Sequence, residues 1–231
     1  IFAIATPAAQ SVANATDKTP IVATAVTDFA VAKLVKDNAK PGTNVTGSSD
    51  LNPVAAQLDL LMQLVPNAKT IGTIYNSSEI NSEFQIAILK KEMARYNLKL
   101  VELTVSNIND VQQTARSMVG KVDAIYVPTD NVIASAMPVL AKITNRAKIP
   151  VITGEEGMCA NGGLATVGVD YYNLGKIAGN MGADILEGKG QPQTMPIRYQ
   201  TEFKAKINEK TAKRIGIKIP EAVTKYAEFI K

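Results

Sequence analysis

Short apolar runs alternate with amphipathic stretches along nearly all of the 231 residues. Ile1–Thr6, Ile21–Val26, Thr70–Tyr75, Lys99–Val105, Asp123–Val127, Pro150–Thr153 and Leu164–Val169 are continuous enough in apolar residues to be buried strands. Between them the apolar positions switch to helical spacing. Pro7–Asn14 is a short helix with a Thr-Pro start. Asn52-Pro53 opens a helix with Val54, Leu58, Leu61, Met62 and Val65 on one face. Ser82 stands as an N-cap with Gln85 in the capping-box place, and Asn109 as the cap of a helix carrying Val111, Ala115, Met118 and Val119. Pro138 predicts a kink or a late start in the helical segment that follows Asn131. Asn208–Ile215 is a basic amphipathic helix closed by Gly216, and Ile219-Pro220 leads into a last helix with Val223, Tyr226 and Ile230.

Strand followed by helix, over and over, predicts an α/β fold whose parallel sheets are flanked by helices. Ligands of such sheets lie beyond the carboxyl ends of the strands. Pro41–Asp50, with Gly42 and Gly47, reads as a turn-rich connector. Gly188, Gly190, Pro192 and Pro196 mark a second linker, leading into Ile197–Gln200.

The stretch from Gly163 to Gly190 is the most informative. Its strand stops at Asp170, a good N-cap, and the helix runs to Gly188. Leu174, Ile177, Ala178, Met181 and Ile185 give it an apolar face, and Gly175, Gly179 and Gly182 a bare one. Each interior glycine costs about 1 kcal/mol relative to alanine, so close approach of a neighbouring element is expected along that stripe.

The strand tips carry the candidate chemistry. Thr6, Thr27 and Asp28 end two early strands, although both threonines would serve equally as helix caps. Asn76, Ser77, Ser78 and Asn81 precede a helix, where unpaired backbone N–H groups and the positive dipole end suit a carboxylate. As plain turn and cap residues they are equally well accounted for. Thr129, Asp130 and Asn131 end another strand, Gly154 and Glu155 another. Acceptors at several tips suit an ammonium group, while the same acidic residues also make ordinary caps.

At this point a family resemblance enters. GVDYY followed by LGKIAGNMGADILEG, the segment AVTD at Ala25–Asp28, PGTNVTGSSD at Pro41–Asp50 and AIATPAAQ at Ala3–Gln10 resemble ABC-transporter substrate-binding proteins of type I periplasmic fold. Within that group they are similar to the subfamily that binds tryptophan and other aromatic amino acids. The resemblance implies two lobes with three crossings, near Val45–Ser49, Gly168–Asp170 and Ile197–Gln200. Residues 1–47 and 170–197 would form the first lobe, 48–169 and 198–231 the second. It also implies hinge closure on a small amino acid, an ABC permease partner, a monomer, and an extracytoplasmic place, periplasmic or lipid-anchored. Thr6, Pro7, Ala8, Thr27, Asp28, Asp170 and Tyr171 would be ligand contacts. The α-carboxylate would sit near Ser77, Ser78 and Asn81, the ammonium near Asp130 and Glu155, and the side chain against Tyr75, Tyr126 or Tyr171. Family members begin with a further strand–helix–strand–helix unit, so a leading segment is expected ahead of Ile1. The effector domain of a repressor with the same fold, or a sugar- or nucleoside-binding relative, are the alternatives.

Composition narrows the classes. An apolar fraction of 46% and a formal charge of +4 describe a globular chain with no basic block, which argues against nucleic acid. The absence of histidine removes the commonest general base and metal ligand, and one cysteine, Cys159, adds little. No cofactor, metal or catalytic residue is therefore expected. Neither a phosphate-cradling glycine motif nor a G-x-S-x-G nucleophile elbow is present.

Overall fold

The computed structural model describes residues 1–230. In chain order the elements are β1 (Phe2–Ile4), α1 (Thr6–Ala15), β2 (Ile21–Val26), β3 (Val45–Ser49), α2 (Val54–Leu64), β4 (Thr70–Asn76), α3 (Ile80–Met93), β5 (Lys99–Val105), α4 (Val111–Met118), β6 (Ala124–Val127), α5 (Asn131–Arg146), β7 (Val151–Thr153), α6 (Glu156–Ala160), β8 (Ala165–Gly168), α7 (Tyr171–Leu186), β9 (Arg198–Tyr199), β10 (Lys204–Asn208), α8 (Glu209–Ile215), α9 (Glu221–Thr224) and β11 (Glu228–Ile230). They divide into two compact units, residues 1–52 with 169–203, and residues 53–168 with 204–230. The chain thus changes unit at 52/53, 168/169 and 203/204, where the family resemblance implied 47/48, 169/170 and 197/198.

The first unit is built on a four-stranded parallel sheet in the order β1-β2-β3-β9. β3 corrects the reading of Val45–Ser49 as a crossing: all five residues are buried in the middle of this sheet. Its sequence, VTGSS, looks like a turn because its polar side chains face inward. They are satisfied there, Thr46 Oγ1 donating to the Met195 carbonyl and Ser49 Oγ to that of Thr27, at 2.7 Å each. Gly47 has φ +152° and lies so close to β2 that a Cβ would stand 1.7 Å from the Ala23 carbonyl oxygen. Ile197–Gln200 is likewise no crossing, since β9 pairs with β3.

α7 packs on this sheet through Leu174, Ala178 and Met181, which are buried. Asp170 caps it, accepting from the N–H groups of Tyr172 and Asn173, and Gly188 follows its end at φ +70°. The glycine stripe behaves otherwise than expected. Gly182 lies under the Phe2 ring, but a Cβ on Gly175 or Gly179 would meet nothing within 4 Å among the described residues. β1 is an edge strand, with Phe2 and Ile4 exposed.

The second unit holds a seven-stranded sheet in the order β11-β10-β8-β7-β6-β4-β5, parallel except where β10 runs against β8. Leu58, Leu61, Leu89, Tyr126 and Ile207 belong to the core on one face of this sheet; Val111, Met118, Leu140 and Ile143 belong to the cluster on α4 and α5. Several boundaries differ from expectation. α3 begins at Ile80 with Glu79 at its N-cap, so Ser82 and Gln85 lie inside the helix. α4 starts at Val111 after a 3₁₀ turn, Ile108–Asp110, that Asn107 caps, so Asn109 is not the cap. α5 begins at Asn131 and runs through Pro138 without a late start. The final segment gives a short α9 and then β11, not one helix to Ile230. No helix among the described residues is long and apolar enough to cross a membrane.

The glycines supply a paired stability test. Gly47→Ala should lower unfolding stability by roughly 3 kcal/mol or more, because backbone stands where the methyl must go. Gly175→Ala should raise it by about 0.5–1 kcal/mol, because an open helical position gains propensity. Denaturant unfolding measures both; equal effects at the two sites would contradict this packing.

Candidate functional site

In the first unit two predicted residues gather around an unpredicted one. Thr27, just past β2, donates from Oγ1 to Asp50 Oδ1 at 3.1 Å, and Tyr171, opening α7, donates from its hydroxyl to Asp50 Oδ2 at 2.9 Å. Asp50 is buried directly after β3. It stood in the PGTNVTGSSD segment, but only the true strand makes it a strand-tip residue. Asp28 turns away from this cluster, binding the Val31 N–H and the Asn38 amide. Thr6 is buried in the first turn of α1, with Pro7 and Ala8 exposed beside it. The segment where the chain leaves this unit is tied down as well. Asn52 Oδ1 accepts from the Val169 N–H at 3.0 Å, while Gln200 Nε2 donates to the Asp170 carbonyl at 2.6 Å.

In the second unit the tips of β4 and β6 form one acidic corner. Asp130 caps α5, Oδ1 accepting from the Ile133 N–H at 2.8 Å; its Oδ2 accepts from the Asn76 N–H at 2.7 Å and the Ser82 hydroxyl at 2.8 Å. Glu79 reaches the same helix end from the turn after the neighbouring strand β4, just before α3, accepting from the N–H groups of Asn131 and Val132 and, at 2.6 Å, from the Asn131 amide. Glu79 is 4% exposed and Asp130 2%, and neither has a cationic partner among the described residues. Burial pushes the Asp130 carboxyl above the ordinary aspartate value and the Glu79 charge adds to this, against three hydrogen bonds that lower it. Asn81 donates to Glu79, Ser82 and the Thr129 carbonyl, and its own buried Oδ1 has no partner.

This arrangement changes the sense of the corner. The sequence placed an α-carboxylate beside Ser77, Ser78 and Asn81, on the strength of a free helix end. Both carboxylates serve the N-terminus of α5 and neither side chain caps α3, yet two buried negative charges with an orphan acceptor beside that end repel a third anion. Ser77 and Ser78 stay exposed, Ser78 bound through N–H and hydroxyl to Asn76 Oδ1. Glu79 was missed because its neighbours Ser77-Ser78 and Ser82 looked like the caps; its position just before the Ile80 helix was the available signal.

Glu155, with Gly154, ends β7 and lies apart from that hydrogen-bonded set. Its carboxylate caps the short α6, accepting from the Gly157 N–H at 2.5 Å and from that of Met158, and burial raises its carboxyl above the ordinary value. Glu156 pairs with Lys206 at 2.5 Å. Two of the three tyrosines are core: Tyr126 is wholly buried and donates to Gln57 Oε1, and Tyr75 donates to Glu102 Oε1, both at 2.8 Å. Gln57 completes that interior network by donating to the carbonyls of Val167 and Gly154. Cys159 is buried and its thiol is pushed up to about 12 by burial, so it holds no reactive thiolate at neutral pH.

The corner predicts a pH effect. A folded state that binds the Asp130 proton more tightly than the unfolded chain loses stability as pH rises from about 3.9 through the raised folded value. Asp130→Asn should flatten that fall while keeping a cap. Asp130→Ala should cost roughly 2–4 kcal/mol below the raised folded value and less above it, since three buried donors lose their acceptor. Unfolding midpoints across pH for the three proteins measure this, and parallel curves for wild type and Asp130→Asn would refute it.

Comparison with known proteins agrees with this architecture. The "Tyrosine-binding protein" of Clostridioides difficile (strain R20291) is 45% identical over 217 residues, 94% of this chain and 63% of that protein. The chain therefore spans somewhat less than two thirds of that relative's length. A Streptococcus ABC domain solved in complex with L-Trp superposes with a TM-score of 0.95 at 41% identity, covering 100% of this chain and 80% of the other. A ligand-free, open substrate binding protein with adhesive properties from Clostridium difficile gives 0.75 at 43% identity, covering 100% and 77%. The helix-flanked, predominantly parallel sheets are those of type I periplasmic binding proteins. The family described as ABC transporter substrate binding protein matches residues 1–231 from end to end, and this chain belongs to it.

Proposed function

We propose that the protein captures an aromatic amino acid outside the cytoplasmic membrane and presents it to an ABC permease, without making or breaking a bond. The observation that carries the reading is the acidic corner: two buried carboxylates, Glu79 and Asp130, that no lysine or arginine among the described residues neutralises. Buried charge without a counter-charge is costly, and a ligand ammonium supplies one. The exposed hydroxyls of Ser77 and Ser78 flank it. In the first unit Thr27, Asp50, Asp170 and Tyr171 are the candidate contacts, and Thr6, Pro7, Ala8 and Asp28 the outlying ones. Thr129, Asn131, Gly154 and Glu155 remain candidates in the second unit, acting through backbone groups where their side chains serve as caps. Support for an aromatic side chain comes from the relatives, one solved with L-Trp and one named for tyrosine. The protein acts as a monomer, free or lipid-anchored, and ligand binding selects one of its conformations for the permease.

Ligand that binds only the folded form raises its melting temperature. L-tyrosine, L-phenylalanine or L-tryptophan should do so, and the analogue lacking the amino group should not. Glu79→Gln should weaken binding by about tenfold or more, the loss of one charge-assisted contact. A pentose or nucleoside that shifts melting where no amino acid does would overturn the assignment. An amino acid bound equally well without its amino group would remove the corner from the site.

A further inference from the structure

Away from the strand tips, the outer side of α4 and α5 carries a groove of about 710 Å³. Its floor is aliphatic: Val119 and Val139 are each 44% exposed, with Pro138 and Ile143 between them. Its rim is cationic. Arg116, Lys142 and Arg146 line it, no carboxylate does, and none of the three makes an ion pair among the described residues. A second hollow of about 440 Å³ continues the first, sharing Pro138, Lys142 and Arg146 and adding Arg214 and Asn145. Arg116, Arg146 and Arg214 stand in the last turns of their helices, where the dipole offsets roughly half a charge each. Lys142, in the body of α5, has no such compensation.

The surroundings thus ask for two things in one occupant: an anion at the rim and an aliphatic body along α5. A free anion has no use for the floor. An acidic protein helix would be expected to find aromatic anchor positions, and the lining has none.

We propose that this groove binds an anionic glycerophospholipid of a membrane surface. Its phosphate lies among Arg116, Lys142 and Arg146, and acyl carbons cover Val119, Pro138 and Val139. Each surface cation strengthens such an association modestly, so several together with a buried aliphatic contact are needed for a measurable one.

Flotation of the full chain with vesicles tests this. Vesicles of phosphatidylcholine containing phosphatidylglycerol should retain the protein about tenfold better than phosphatidylcholine alone. The triple variant R116E/K142E/R146E should fall to the phosphatidylcholine level, and R116Q/K142Q/R146Q should fall partway while melting as the wild type does. V119S/V139S should weaken retention with the cations intact. Equal retention on both vesicles, full retention of the glutamine variant, or complete displacement by inorganic phosphate (a simple anion site) would each overturn the proposal. So would tighter binding of an acidic amphipathic peptide at the same residues. Because none of these residues contributes to the acidic corner, amino-acid binding by the variants should stay as it was, and its loss with vesicle binding kept would count against the function proposed above and not against this groove.

Discussion

The N-terminus of α5 is where the second unit's acidic corner is decided. Its unpaired N–H groups demand acceptors, and two carboxylates answer, Asp130 from the cap position and Glu79 from the start of α3. That one demand sews the ends of β4 and β6 together, because Asp130 also takes the Asn76 N–H and the Ser82 hydroxyl. Charges gathered to satisfy backbone groups leave an excess of negative potential at the mouth of the strands. The fold and the proposed binding therefore draw on the same two side chains. A helix dipole placed there alone would attract an anion; with both carboxylates in place the preference reverses.

The first unit uses a related economy at Asp50. One buried carboxylate accepts a hydroxyl from the end of β2 and another from the start of α7, so strand and helix are fixed to each other through it. Nearby, Asn52 and Gln200 hold the backbone on either side of Val169 and Asp170, at the places where the chain leaves this unit. These are side chain to backbone bonds, which set direction without adding bulk. The interior of β3 follows the same pattern, with Thr46, Ser48 and Ser49 buried and bonded where an apolar strand would have packed.

That pattern explains how far the sequence could be read. Elements whose burial is hydrophobic were legible: β2, β4, the α2 face of Val54, Leu58 and Leu61, and α7 from its Asp170 cap to Gly188. The parallel α/β class and the strand-tip location of Thr27, Asp130 and Tyr171 followed from them. Elements whose burial is polar were not, which is why VTGSS passed for a connector and why Asp50 went unassigned. KAKIN at β10 was lost for another reason, since alternating lysines at a sheet position resemble the entry to the basic helix that follows. Ser82 had every local mark of a cap, yet its hydroxyl serves Asp130 and the Thr129 carbonyl, partners 47 and 48 residues away. Local signals cannot rank a nearby donor against a distant acceptor.

The place of β10 between β8 and β11 has a bearing on how the chain comes off the ribosome. The sheet built by residues 70–168 lacks its closing strands until residues 204–230 emerge, and the whole of α7 and β9, which belong to the other unit, must be made in between. During that interval β8 waits with an open side, and the growing chain carries an unfinished sheet edge past the exit tunnel. Such a sheet is synthesised in one order and completed in another, so its vulnerable moment lies in the translation of residues 169–230.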